Sequence, residues 1–334
     1  MKKNKRALIT GVSGQDGSYL SELLLEAGYE VWGLSRLTAH RSENLQNLKS
    51  CIGKKGFHLI YGDMSDGGSL EEAVRQSKPD EVYNLAAHAY VPASWDRPEI
   101  VTDVNYTGVV RLLEAVRRQS PKARVYQAST SEMFGNAKES PQNEKTKFMP
   151  ESPYAMTKVA AHELAEMYRE RYGLWVTCGI LFSHKSERCG EQFLLRRLPK
   201  YVVELNRTLF NSSNGHTKPN PMVLSNLDSK CDWGYAPEYV EMIWKMLQAP
   251  SPGTWVVGTG ETHTVQELIS ETFRQINQDW KPWIRVKENT EAVVRTNLCA
   301  DTHKVKKEFG WVAKTRFKGL VEKMYEHALT LNRD

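Results

Sequence analysis

Residues 7–17 read Ala-Leu-Ile-Thr-Gly-Val-Ser-Gly-Gln-Asp-Gly, and the architecture expected of the whole chain follows from them. The apolar start is typical of a short buried strand, and residues 18–27 then repeat apolar side chains at helical spacing. A glycine-rich turn between a strand and a helix lets backbone amides approach a pyrophosphate at the positive end of the helix dipole. The stretch therefore predicts a dinucleotide-binding turn, with Gly11, Gly14, Gln15, Asp16 and Gly17 as its cofactor contacts.

The same alternation of strand and helix continues downstream. Further strands are predicted at 29–34, 57–61, 81–85, 124–128 and 175–181, with helices at 69–76, 100–118 and 153–172. Such succession predicts a parallel sheet covered on both faces. After residue 181 the alternation of strand and helix ends. The sequence there predicts a helix at 187–205 and a polar loop at 208–221.

We therefore predict the α/β class, with a Rossmann-type doubly wound parallel sheet and a smaller C-terminal substrate-binding domain. The NAD(P)-binding domain is expected to comprise residues 1–181 and about 222–249. The substrate-binding domain is expected to comprise residues 182–221 and 250–334.

Composition excludes several classes of protein. The chain has 334 residues, 40% of them hydrophobic and 25% charged, and its net charge of +5 is not gathered into a nucleic-acid-binding block. Its five cysteines are scattered without metal-site or disulfide spacing, which predicts no metal and a reducing cytoplasm. We find no membrane span and no signal peptide pattern, so neither a membrane nor a nucleic acid is an expected partner.

The end of the second strand bears on the choice of cofactor. It reads Gly33-Leu-Ser-Arg36, which puts a cation where an acidic residue would accept the ribose hydroxyls of NAD. NADP is therefore favoured, with NAD as the alternative. Asp63, after the third strand, is expected to accept from the adenine amino group or to cap the following helix.

Four residues form a possible acid/base set. Tyr154 and Lys158 are one helical turn apart, so the lysine can stabilise the phenolate that a tyrosine base requires. Thr130 and Glu132 follow the fifth predicted strand and add a hydroxyl and a carboxylate. An alcohol dehydrogenase or a sugar epimerase has no use for that carboxylate, whereas elimination of water does. The alternative for Glu132 is a purely structural role, as a helix-capping or loop carboxylate.

With these residues assembled, the chain resembles the extended short-chain dehydrogenase/reductases and, more closely, is similar to the GDP-mannose 4,6-dehydratases. The matching stretches include Tyr61-Gly-Asp63, Ala128-Ser-Thr-Ser-Glu132, Ser152-Pro-Tyr-Ala-Met-Thr-Lys158, Leu181-Phe-Ser-His184 and Asn226-Leu-Asp-Ser-Lys-Cys-Asp-Trp-Gly234. The likeness runs from the first strand to Phe309-Gly-Trp311.

The resemblance implies a lyase that oxidises a nucleotide sugar at C4, eliminates water across C5 and C6, and returns hydride to C6. It implies Thr130, Glu132, Tyr154 and Lys158 as the catalytic residues. Further cofactor contacts are expected at Arg36, Asp63, Met64, Leu85, Ala87, Tyr154, Lys158 and His184. Substrate contacts are expected at His88, Ser94, Ser183 and Arg188, with Arg196 and Arg295 as further phosphate ligands or, alternatively, surface ion-pair residues.

The departures from the family concern binding. Leu37, Cys189 and Cys231 stand where the family has arginines, and Ser183 stands for an asparagine. Because arginines suit phosphate recognition, these changes bear on the cofactor and on the substrate, which the resemblance implies is GDP-mannose or a related nucleotide sugar.

Three other functions remain open from the sequence. They are a nucleotide-sugar epimerase, a 5,6-dehydratase, and a dinucleotide-binding regulatory or scaffold protein. By analogy with the family we expect a homodimer or homotetramer, with a two-fold contact through the helices near Ile100 and Pro153.

Overall fold

The computed structural model describes residues 4–37, 42–210, 219–287 and 298–331, and Arg295 lies outside them. The strands are β1 Arg6–Thr10, β2 Glu30–Ser35, β3 Phe57–Tyr61, β4 Glu81–Asn84, β5 Arg124–Thr130, β6 Val176–Leu181, β7 Ser183–Lys185, β8 Met222–Leu224, β9 Lys230–Cys231, β10 Trp233–Tyr235, β11 Thr254–Val257, β12 His263–Thr264 and β13 Ile284–Val286.

The helices are α1 Gln15–Glu26, α2 Gly67–Ser77, α3 Ala93–Asp96, α4 Pro98–Thr102, α5 Gly108–Gln119, α6 Pro153–Tyr172, α7 Leu194–Phe210, α8 Ala236–Leu247, α9 Val265–Arg274, α10 His303–Phe309 and α11 Phe317–Thr330. Short 3-10 helices run from Ser42–Leu48 and Ser131–Met133, and a π-helical turn at Asp103–Thr107 joins α4 to α5.

The central sheet has seven strands in the order β11-β6-β5-β4-β1-β2-β3, and every pairing within it is parallel. This confirms the predicted Rossmann-type α/β fold. The strand order reverses between β1 and β4, so a crevice opens there at the carboxyl ends of the strands. That crevice is where a ligand is expected to bind in such a sheet.

Apolar side chains cover both faces of the sheet. Buried residues of α1 and α8, such as Leu24 and Ile243, pack on one face. Those of α2, α5 and α6, such as Leu70 and Leu112, pack on the other. A third apolar cluster joins α7, α9 and α11, so the C-terminal part of the chain has its own packed core.

Three segments differ from the prediction. The helix expected at 187–205 begins at Leu194, where the apolar repeat starts, and Gly190 lies in the preceding loop. It extends to Phe210, into the segment expected to be a loop, most of which lies outside the described residues. The strand β11 belongs to the central sheet through β6, although its range was expected in the C-terminal domain.

A buried carboxylate fixes the loops beside the crevice. Asp232 accepts hydrogen bonds from the backbone amides of Thr259 at 2.9 Å, Gly260 at 3.0 Å and Ala300 at 3.1 Å. Removing a buried acceptor of this kind leaves its donors unpaired, which is more costly than the net value of the bonds themselves. Asp232 therefore ties the segment between β9 and β10 to the end of β11. Within the described ranges, no helix is both long and apolar enough to span a bilayer.

Candidate active site

A cavity of about 630 Å³ opens at the carboxyl edge of the sheet. Its wall is formed by the glycine turn after β1, the ends of β2 and β3, the loop after β4, the end of β5, the start of α6 and the segment from Leu181 to Phe193. Parallel strands end at one edge of their sheet, so residues distant in sequence meet there. This cavity contains most of the site residues predicted from the sequence.

The glycine turn fits a dinucleotide. Gly11 has a φ of +67°, and a Cβ there would lie 2.8 Å from the amide nitrogen of Ala86. A Cβ at Gly17 would lie 2.5 Å from the Gly11 carbonyl oxygen. Gly14 is the N-cap of α1 and provides no side chain to cap the helix. The first amides of α1 therefore stay directed at the cavity, which suits a diphosphate.

Asp16 and His184 join this turn to β7. The Asp16 carboxylate lies 3.0 Å from Nε2 of His184, and Nδ1 of the same ring lies 2.7 Å from the Phe182 carbonyl oxygen. Both ring nitrogens thus lie within hydrogen-bond distance of oxygen atoms. Burial opposes ionisation of Asp16, but the charge of His184, the hydrogen bonds from His184 and Gln15, and the charge of Lys185 together outweigh it, and the pKa of Asp16 falls below its usual value. Both residues line the cavity.

The end expected to hold adenosine contains Arg36, Asp63 and Met64. Asp63 accepts from the backbone and hydroxyl of Ser65 at 2.9 and 2.7 Å. Although burial acts in the other direction, these bonds and the charge of Arg36 lower the pKa of Asp63. The cap of α2 is Asp66 and not Asp63, so the capping alternative for Asp63 is wrong.

The four predicted acid/base residues lie together in the wall of the cavity. Tyr154 is in the first turn of α6, which Ser152 caps by accepting from the amide of Ala155 at 3.1 Å. Burial, and then the charge of Glu132, raise the pKa of Tyr154, while the Thr130 hydroxyl acts in the opposite direction. Lys158 donates to the Ala128 carbonyl oxygen at 2.5 Å, and burial lowers its pKa to about 8.

The end of β5 determines where the hydroxyl and the carboxylate lie. Thr130 is the last residue of β5 and accepts a hydrogen bond from the Glu132 amide at 3.3 Å. Glu132 is in the 3-10 helix Ser131–Met133 that follows. The strand end and this single helical turn therefore bring the hydroxyl and carboxylate to the same cavity as Tyr154. Such a set can remove a proton from an alcohol and from an adjacent carbon.

The predicted substrate contacts fall into two groups. His88 and Ser183 line the cavity, as do the predicted cofactor contacts Leu85 and Ala87. Burial, and next the charge of Arg36, lower the pKa of His88, which favours the neutral ring. Among the described residues, the cavity wall does not include Ser94, Arg188 or Arg196.

Two of the residues outside the wall have other partners. Arg188 forms a bidentate ion pair with Glu22 at 2.8 and 3.0 Å and lies 3.8 Å from the centre of the Tyr19 ring. Ser94 is buried and donates to the Val91 carbonyl oxygen at 2.6 Å. The side chain of Ser94 thus supports the loop after β4, and that of Arg188 supports α1.

Asn105 is a site residue that the sequence did not reveal. It lies in the π-helical turn and accepts from the His88 amide at 2.8 Å, while donating to the His88 carbonyl at 3.2 Å. Single π-helical turns are frequent at functional sites because they redirect one side chain. Here the turn holds the loop that carries His88. No apolar periodicity in the sequence predicts such a turn. Lys185, Gly190 and Phe193 are further wall residues that the sequence did not single out.

Within the described residues, no group of three or more His, Cys, Asp or Glu side chains is arranged to hold a metal ion. All five cysteines are free thiols. Cys189 belongs to the cavity wall and is buried there.

Residues 8–324 match the family model described as GDP-mannose 4,6 dehydratase. The chain belongs to the GDP-mannose 4,6-dehydratase family. Among the curated proteins, GDP-mannose 4,6 dehydratase 1 of Arabidopsis thaliana is 42% identical over 342 residues, covering 99% of this chain and 91% of the relative.

Solved structures show the same fold at lower sequence identity. A dTDP-glucose 4,6-dehydratase from Streptomyces venezuelae, solved with NAD bound, has a TM-score of 0.82 at 23% identity and covers 98% of both chains. A UDP-glucose 4-epimerase from Thermotoga maritima has a TM-score of 0.82 at 22% identity, over 97% of this chain and 99% of its own. The fold alone is therefore shared by dehydratases and epimerases.

Replacing Lys158 with methionine tests the burial of its ammonium group. Its pKa is about 8 in the folded protein against an ordinary value of 10.5, so the folded state is penalised for the charge below pH 8. Between these two values the unfolded chain binds the extra proton, and stability rises with pH. From pH 7 to pH 10, the unfolding free energy of the wild type should rise relative to Lys158→Met by about 2–3 kcal/mol.

Urea unfolding at both pH values provides this measurement, with the exposed Lys318→Met as the matched control. An equal difference between wild type and Lys158→Met at pH 7 and pH 10 would contradict the buried, destabilised ammonium.

Proposed function

We propose that the protein is a nucleotide-sugar 4,6-dehydratase that acts on GDP-mannose or a related nucleotide sugar. The observation that carries the proposal is the presence of Glu132 beside Tyr154, Thr130 and Lys158 in one cavity of a chain that belongs to this family. The product is the corresponding 4-keto-6-deoxy sugar.

The first step requires a base for the C4 hydroxyl. Tyr154 takes this proton, and the Thr130 hydroxyl donates a hydrogen bond to the same oxygen. Because burial raises the pKa of Tyr154, the phenolate needs nearby positive charge, which the Lys158 ammonium supplies from one helical turn away. The glycine turn of residues 11–17 would hold a nicotinamide dinucleotide, which would supply the acceptor for the C4 hydride and the hydride returned to C6.

The second step is the elimination of water. The new C4 ketone acidifies the C5 proton, and the Glu132 carboxylate removes it. The C5–C6 double bond forms as the bond from C6 to its hydroxyl oxygen breaks, and Glu132 gives its proton to the departing hydroxyl. Glu132 is then ionised again, and one water has been lost.

The third step saturates the C5–C6 bond. Tyr154 delivers to C5 the proton that it took from the C4 hydroxyl, while C6 receives the hydride. The Lys158 ammonium again balances the phenolate, so every acid/base group ends as it began. The site needs no external oxidant or reductant across the whole cycle.

Two other functions use parts of the same site. An epimerase would use Tyr154 and Lys158 but would leave Glu132 without a task. A 5,6-dehydratase would use Glu132 but would release an unsaturated product. The similarity to an epimerase at 22% identity concerns the fold alone, so it does not favour the first of these.

Replacing Glu132 with glutamine tests the role of the carboxylate. We expect the rate of water loss from GDP-mannose to fall by about 10²–10⁴-fold, because an amide can neither accept nor return the C5 proton. Mass spectrometry of the product measures this loss, with cofactor binding monitored in parallel. Glu163→Gln, on the exposed face of α6, is the matched control and should keep the wild-type rate.

Retention of full turnover by Glu132→Gln, together with inversion at a sugar carbon, would favour the epimerase. A product that has lost water but contains no keto group would favour the 5,6-dehydratase.

NADP as the cofactor is part of the proposal, with NAD as the alternative. Its support is Arg36, an exposed cation in the cavity wall directly after β2. Leu37, the next residue, is 78% exposed, but its apolar side chain has no donor for a phosphate. Arg36 is therefore the side chain that would contact a 2′-phosphate.

Arg36→Ala should weaken NADPH binding by about 10-fold or more, the effect of losing one charge-assisted hydrogen bond, and should change NADH binding by less than about threefold. Fluorescence titration of both nucleotides measures the two affinities. An equal loss for both would place Arg36 at a part of the cofactor that NADP and NAD share.

We also propose a homodimer whose interface includes α4 and α6, with a tetramer as the alternative. Large apolar side chains are exposed on α3, α4 and α6: Trp95 is 65% exposed, Ile100 45% and Met156 57%. A charge placed in such an interface would be desolvated on association, which opposes it.

Met156→Glu should therefore lower the molar mass measured by light scattering towards that of one chain, 38.1 kDa. Val286→Glu, at a residue 51% exposed on β13, is the control and should not change it. The wild type eluting as a monomer would contradict the dimer.

The division into domains is proposed as predicted, except that β11 is assigned to the central sheet. Its support is the separate apolar cluster of α7, α9 and α11. A cytoplasmic location is supported by the five free thiols and is tested by cell fractionation.

A further inference from the structure

Among the described residues, the charges on the cavity wall leave one cation for the substrate. The wall contains the basic side chains of Arg36, His88, Lys158, His184 and Lys185. Arg36 is beside Asp63 at the adenosine end, Lys158 is bound to Ala128, and His184 is paired with Asp16. Burial and the charge of Arg36 favour the neutral form of His88 by lowering its pKa. A diphosphate-linked sugar carries negative charge, and Arg36, His88, Lys158 and His184 are not free to balance it.

Lys185 differs from the other four. It is the last residue of β7, a strand that pairs with β10. Within the described part of the chain it forms no ion pair with a carboxylate, although its charge helps to lower the pKa of Asp16. Its ammonium lies 4.2 Å from the centre of the Phe193 ring. A cation over an aromatic face is held more weakly than one that contacts an anion, so a phosphate can recruit it without breaking an ion pair.

The surroundings of Lys185 place it in the half of the cavity near the chemical site. Burial raises the pKa of the Cys189 and Cys231 thiols, and the nearby charge of Lys185 partly offsets this rise. Cys231 is also within reach of the charge of Glu132. The arginine predicted to bind phosphate, Arg188, is held by Glu22 outside the wall. Lys185 is therefore the cation located between the chemical site and the Phe193 side of the cavity.

We propose that Lys185 binds the diphosphate of the nucleotide-sugar substrate and so fixes the sugar over Tyr154 and Glu132. This inference rests on the proposed function. The ammonium leaves the Phe193 ring and donates to a phosphate oxygen. Cys189 and Gly190, which line the cavity near it, add little bulk and no carboxylate to that part of the wall. Lys185 acts on substrate affinity and takes no part in proton transfer.

Lys185→Met tests the proposal, with GDP as the probe and calorimetry on the cofactor-loaded enzyme as the measurement. We expect GDP affinity to fall by about 10–100-fold, the effect of one charge-assisted hydrogen bond. KM for GDP-mannose should rise by a similar factor, while kcat and NADPH affinity should each change less than about threefold. Lys185→Arg should keep GDP binding within about fivefold, because it restores the charge.

Lys323→Met is the matched control, because Lys323 is an exposed lysine that also lies over an aromatic ring, at 5.2 Å from the centre of Tyr235. It should bind GDP as the wild type does. Wild-type GDP affinity in Lys185→Met, or an equal loss of NADPH affinity, would overturn the inference while leaving the dehydratase function intact. A wild-type protein that neither binds GDP, UDP, CDP or dTDP nor turns over their sugars would overturn both.

Discussion

Backbone packs directly against backbone where the glycine turn meets the loop after β4, and the rest of the site depends on that approach. A Cβ at residue 11 would lie 2.8 Å from the Ala86 amide, and one at residue 17 would lie 2.5 Å from the Gly11 carbonyl. Without these side chains α1 can begin at the sheet edge with its first amides directed at the cavity. Asp16 then reaches His184, and this contact joins the dinucleotide end of the cavity to β7.

The sequence predicted most of the sheet and the acid/base set because both are encoded locally. Glycines in the turn and a Tyr154–Lys158 pair one helical turn apart are short-range patterns, and parallel strands bring their carboxyl ends together without further information. The side chain of Arg188 was not predictable in the same way. Its partner, Glu22, is 166 residues away, and the bidentate contact appears only in the folded chain.

The other departures have similar causes. An apolar repeat marks the body of α7 but not its first residue, so the loop that carries Cys189 and Phe193 was counted as helix. Asn105 reaches His88 through a π-helical turn, a local change of backbone pitch that residue types alone do not specify. β11 has four residues, and its pairing with β6 is a long-range contact. In each case tertiary contacts decided what local propensity left open.

The charged groups of the cavity lie in separate parts of its wall and have different functions. Arg36 and Asp63 lie at one end, the Asp16–His184 pair is beside the glycine turn, and the buried Lys158 is one turn from Tyr154. Burial disfavours the charged form of every ionisable group in the cavity. Each charged group therefore needs a partner that offsets its loss of hydration, or a function that requires the charge. Glu132 beside Tyr154 is the part of this arrangement that an oxidation alone would not require.

The most direct test uses GDP-mannose that carries deuterium at C4. The account predicts a product lighter by one water, with the deuterium transferred to C6 of a 4-keto-6-deoxy sugar, because the hydride that leaves C4 is returned within the same site. Water loss with the deuterium still at C4 or absent from the product, or inversion at C4 with no loss of water, would contradict it.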